Sequence, residues 1–99
     1  MRLSREQITA IRDVVCQEAG PEARVRVFGS RLDDERRGGD LDLFVEVNRP
    51  VANPAWLAAR ISGRLTRSMH GRDVDVVLSA PNLQRSAVHA VAEREGRLL

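Results

Sequence analysis

The spacing of apolar residues changes along the chain, and each change marks an element. Ser4-Arg5-Glu6-Gln7 has the pattern of a capping box, with Ser4 as N-cap and Gln7 reaching back to it. Ile8, Ile11, Val14 and Val15 then fall on one helical stripe. Gly20-Pro21 ends that helix, because Gly tolerates a left-handed residue after the last turn and Pro cannot continue the ladder. From Ala23 the period becomes two. Ala23, Val25 and Val27 alternate with Arg24 and Arg26, which predicts a strand ending at Gly29-Ser30. Residues 31–39 form a charged connection. Asp40 to Val47 alternates again, with Leu41, Leu43, Val45 and Val47 on one face and Asp40, Asp42, Phe44 and Glu46 on the other.

Asn53-Pro54 supplies an N-cap and a first-turn residue for a second helix, in which Leu57, Ile61, Leu65 and Met69 recur every four residues before Gly71 closes it. Asp73 to Leu78 reads as a third strand. After Ser79-Ala80-Pro81, Leu83, Ala87 and Val91 place a last helix that ends near Gly96. This order predicts a single domain over residues 1–99. Its class is α/β (α+β), a small mixed sheet of about three strands covered by helices.

Composition narrows the setting. The 42% hydrophobic and 30% charged content of the 99 residues argues against disorder. No apolar run reaches the ~18 residues of a membrane span, and Met1 to Glu6 lacks the apolar core of a signal peptide. The single Cys16 cannot form an internal disulfide, so a reducing cytoplasm is the expected location and no membrane partner is expected. The pI of about 9.9 overstates the charge. All sixteen basic residues are Arg and there is no Tyr, so a net charge of only +2 drives the value high. With three aromatics, Phe28, Phe44 and Trp56, a base-stacking platform for nucleic acid is not indicated.

Asp40 and Asp42 lie two apart on one strand, so both face the same way with Cα atoms about 6.6 Å apart. Two carboxylates on one face repel unless a cation or hydrogen-bond donors compensate them. Ligation by carboxylates alone favours Mg²⁺ or Mn²⁺ over Zn²⁺. Taken alone, an Asp-x-Asp pair at a strand start is equally the pattern of a solvated edge. Asp75 adds weight, because it sits opposite the apolar stripe of another strand and can converge with the pair. Three carboxylates can hold two ions about 3.5–4 Å apart. Asp73 shares that face as a rival or auxiliary, but Asp75 lies deeper in its strand. Gly29-Ser30 at a strand end permits close backbone approach to a phosphate, with the Ser hydroxyl as donor; alone, it is also an ordinary turn.

Together these residues resemble a known family. Val27-Phe28-Gly29-Ser30 is followed, after nine intervening residues that end in Gly39, by Asp40-Leu41-Asp42-Leu43-Phe44-Val45. That run resembles the Gly-Ser…Asp-x-Asp signature of the DNA polymerase β-like nucleotidyltransferases. Chain length and the ending Asp73-Val74-Asp75-Val76-Val77-Leu78, then Pro81 and a helix, are similar to the minimal nucleotidyltransferase (MNT) branch, including MntA-type antitoxins of HEPN/MNT toxin–antitoxin pairs. The resemblance covers about Val25 to Gly96. It implies the polymerase β-like fold and a catalytic, metal-binding set of Asp40, Asp42 and Asp75. Asp40 and Asp42 would bridge two Mg²⁺ ions, with Mn²⁺ as a substitute, and Asp75 would hold one ion and help activate an attacking hydroxyl. Gly29 and Ser30, with Arg31 beside them, would bind the β- and γ-phosphates of ATP. The resemblance further implies a HEPN-domain toxin as partner, modified by AMP on a tyrosine and held in a common oligomer. Two other readings stay open: an MNT fold that neutralises its partner by binding alone, and a small-molecule nucleotidyltransferase, whose usual extra helical domain has no counterpart in this length of chain.

Other residues are less telling. Asp33-Asp34-Glu35 is unusual beside a triphosphate, offset by Arg31, Arg36 and Arg37. Cys16 adjoins the first helix's apolar stripe and reads as a small buried hydrophobe. His70 and His89 lack the company of a metal site and read as packing or surface residues. Arg60, Arg64 and Arg67 line one side of the second helix as a solvated face or a partner surface. Trp56 is either core edge or interface anchor.

Overall fold

A computed structural model of the chain describes residues 3–28, 41–69 and 73–99. Helix α1 (Arg5–Ala19) is followed by strands β1 (Arg24–Phe28) and β2 (Leu41–Glu46), helix α2 (Pro54–Ser68), strand β3 (Val74–Ser79), helix α3 (Ala87–Glu95) and strand β4 (Arg97–Leu98). The strands form one mixed sheet in the order β3-β2-β1-β4. β1 is antiparallel to both β2 and β4, whereas β2 and β3 are parallel, joined by the α2 crossover.

The caps follow the local sequence. Ser4 Oγ accepts from the Gln7 amide at 3.1 Å and Gln7 Oε1 accepts from the Ser4 amide at 2.8 Å, a complete capping box. α1 stops at Gly20, whose φ of 103° suits a residue without Cβ. Asn53 Oδ1 accepts from the Trp56 amide at 3.2 Å, with Pro54 opening α2.

One sheet face is apolar. Val25, Val27, Leu41, Leu43, Val45, Val74 and Leu78 pack there against Ile11, Val14, Val15 and Ala19 of α1 and Leu57, Ile61 and Leu65 of α2. The four-residue stripe of α2 is buried along its whole length through Met69. α1 and α2 are also tied by charge. Glu18, its side chain only 9% exposed, accepts from Arg60 at 2.8 and 3.1 Å and from Arg64 at 2.8 Å. These bonds, Arg60 first and Arg64 second, hold the Glu18 carboxyl below the usual range. A depressed folded-state value stabilises above the unfolded carboxylate range, and that stabilisation is lost as pH falls through the folded value. Glu18→Gln is therefore expected to melt below the parent at neutral pH, with the gap closing on acidification. Melting curves across that range check it, and a gap independent of pH would contradict it.

The opposite face is covered by α3. His89 is buried. Its Nδ1 accepts from the Ser86 amide at 3.0 Å, which makes Nε2 the donor to the Leu78 carbonyl at 2.8 Å. Its ring meets Phe44 edge-on, with centroids 5.7 Å apart. Of the surface and packing roles expected for His89, the fold uses packing.

Three expectations need correction. The sheet has a fourth strand: after Gly96 the chain turns back and β4 pairs with Arg26 and Val27. The last helix begins at Ala87 rather than near Leu83, because a turn at 81–82 and irregular backbone from 83 to 85 precede Ser86, which provides the N-cap. Cys16 is exposed, pointing away from the stripe it adjoins. Among the described residues, no helix is long and apolar enough to cross a membrane.

Candidate active site

Strand pairing sets the geometry. In the parallel β2–β3 ladder Asp42 is the register partner of Asp75, and in the antiparallel β1–β2 ladder it is the partner of Phe28. Adjacent strands lie about 4.8 Å apart, and residues in register share a face. Phe28, Asp42 and Asp75 therefore form a row across three strands on the face opposite the α1–α2 core. The next row on this face is Arg26, Phe44 and Val77. The helix α3 crosses this second row, where its His89 seals over Phe44. Asp42 remains half-buried and Asp75 exposed.

The structure thus brings Asp42 and Asp75 together. Asp73 lies just outside β3, where its carbonyl accepts from the Leu41 amide at 3.0 Å. That bond pins the start of both strands and places Asp75, rather than Asp73, opposite Asp42. Asp40, Gly29, Ser30 and Arg31 lie outside the described residues, as do His70, Gly71 and the acidic stretch Asp33 to Glu35. In sequence, Gly29 directly follows Phe28 and Asp40 directly precedes Leu41, so both motifs adjoin the row.

The sequence reading did not single out Phe28 beyond its place in the motif. Strand pairing alone sets it beside Asp42, and the signal available was its alternation with Val27. Farther along the same face, a groove of about 800 Å³ is lined by residues that include Arg24, Glu46, Ser79 and Arg85. It lies at the opposite end of β2 and β3 from the carboxylates. Glu46 there is held by Arg26 at 2.8 Å, and the groove contains neither acid of the row.

The sequence matches the nucleotidyltransferase domain family over residues 8–97, from α1 into β4. The chain belongs to that family. No curated protein matches it significantly. In this nucleotidyltransferase domain, the donors of the Asp42–Asp75 row are carboxylate oxygens, the chemistry that hard divalent cations require. Two carboxylates in register on one face fit such an ion. Among the described residues no group of three or more His, Cys, Asp or Glu gathers as a metal cluster. The pair here would need Asp40 to complete a three-carboxylate set.

Proposed function

We propose that this nucleotidyltransferase domain transfers AMP from ATP to a tyrosine hydroxyl of a HEPN-type toxin and so acts as its antitoxin. The observation that carries the reading is the register of Asp42 with Asp75 on one face of the sheet, directly beside the ends of the Gly-Ser and Asp-x-Asp motifs in sequence. Asp40, Asp42 and Asp75 would hold two Mg²⁺ ions, or Mn²⁺ in their place. When bound, these ions supply charge neutralisation at the phosphates. Gly29, Ser30 and Arg31 would receive the β- and γ-phosphates.

The step is a substitution at phosphorus. The acceptor oxygen forms a bond to the α-phosphorus as the bond to the bridging oxygen of the β-phosphate breaks. Pyrophosphate leaves, and the hydroxyl proton passes towards the Asp75 carboxylate. Positioning and charge neutralisation supply most of the acceleration in such transfers.

The test is to incubate the purified chain with ATP labelled at the α-phosphate, Mg²⁺ and extract of its source cells, beside Asp42→Asn. Label retained on one protein band, lost in the variant and mapped to a HEPN-domain tyrosine, is the expected result. Label on a small molecule would move the reading to a small-molecule transferase. Absence of label with an intact complex of the two proteins would leave neutralisation by binding alone.

A further inference from the structure

Trp56 is 57% exposed, although a residue of its size is rarely left in water without reason. It stands at the start of a face of α2 that no other described element covers, on the other side of the sheet from the Asp42–Asp75 row. Arg60 lies one turn on, its guanidinium carbon 5.2 Å from the ring centroid. Trp56, Ala59, Arg60, Gly63, Arg64 and Arg67 line a groove of about 420 Å³. Its floor is made of small residues, Ala59 and Gly63, and its ends are Trp56 and Arg67. At 1.5 Å per residue the groove runs about 16 Å along the helix, three turns.

The charges on this face are ordered. Glu18 fixes the guanidinium groups of Arg60 and Arg64, and Arg64 also donates to Gln17 Oε1 at 2.7 Å. Arg67 makes no salt bridge among the described residues. Three guanidinium groups against one carboxylate leave the face cationic. Holding two of them in place in advance lowers the ordering cost of binding.

We infer that this face of α2 docks an acidic helix of a partner protein, with Trp56 as apolar anchor and Arg67 pairing with its carboxylates. Exposed Trp and Arg together are the composition of interface hot spots. A groove floored by Ala59 and Gly63 admits the ridge of a crossing helix. Nucleic acid fits less well, because Arg60 already stacks on the one aromatic ring lining the groove, which leaves no platform for bases. The inference holds whether or not this partner is also the nucleotide acceptor.

Trp56 is the sole Trp in a chain without Tyr, so its fluorescence reports on this groove alone. The test begins with the photo-crosslinking residue benzoylphenylalanine replacing Ala59 in the source cells, with Ala90 on α3 as control position. The cross-linked protein is then identified, purified and titrated into the chain. One protein cross-linked from position 59 and not from 90 is expected to move Trp56 emission to shorter wavelength on binding. Arg67→Glu is expected to weaken that binding at least about tenfold with the melting temperature unchanged. Cross-links to nucleic acid, to a second copy of the chain or to nothing would overturn the inference. So would binding that leaves Trp56 emission and the Arg67→Glu affinity unchanged.

Discussion

Asp42→Asn is expected to lower the rate of nucleotide transfer by about a thousandfold or more while leaving the melting temperature close to that of the parent. Under the proposed function, removing one of the carboxylates that would hold the metal ions withdraws several kcal/mol from the transition state. Asp75→Asn should behave alike, because the two are register partners at one end of the sheet. The double variant should lose little more than either single one, since groups that act as a unit are not additive. Asp73→Asn should retain most activity, its backbone carbonyl being what bonds Leu41. Initial rates with a melting curve for each variant decide the matter. Full activity in Asp75→Asn would remove this row from the chemistry.

The second large effect falls on the fold. Phe44→Ala is expected to destabilise the domain by about 3–5 kcal/mol. For a chain near 100 residues this lowers the melting temperature by at least about 12 °C. Phe44 is fully buried on the face away from the main core, sealed by the His89 edge. Its truncation leaves a void beneath α3 and removes the surface on which that helix docks. Phe44→Leu fills most of the volume and should cost much less. Thermal or urea denaturation measures both. A loss below about 1 kcal/mol for Phe44→Ala would mean that α3 closes over the gap unaided.

Much of this architecture was legible in the sequence because its elements are long relative to their periods. Four apolar residues at intervals of four in α2, and the alternation through Leu41 to Val45, left little choice of element or buried face. β4 was not legible: two residues cannot display a period of two, and its pairing with Arg26 and Val27 depends on where α3 ends. The start of α3 was misplaced because Leu83, Ala87 and Val91 happen to keep helical spacing across the irregular backbone that precedes Ala87. Ser86, with His89 three residues on, was the better start signal, obscured because His replaces the usual Glu or Gln of a capping box. Cys16 follows directly on Val15, and a step of about 100° per residue was enough to turn it outward.

The site was legible in part. Alternation showed that Asp42 and Asp75 lie opposite the apolar stripes of their strands. Only the parallel pairing shows that they are partners, because register across the α2 crossover depends on how that helix packs rather than on any local pattern. The Trp56–Arg60–Glu18 arrangement was invisible for the same reason, since it joins α1 to α2.

Metal binding at the row is measured most directly by titrating Mn²⁺ into the isotope-labelled protein with a non-hydrolysable ATP analogue and following line broadening in its amide spectrum. Broadening centred on Asp42 and Asp75 and their strand neighbours, weakened in Asp42→Asn and displaced by excess Mg²⁺, is the predicted result. Broadening centred elsewhere, such as the Glu46 and Arg85 groove, or none at saturating metal, would contradict a divalent-metal nucleotidyltransferase site at this end of the sheet.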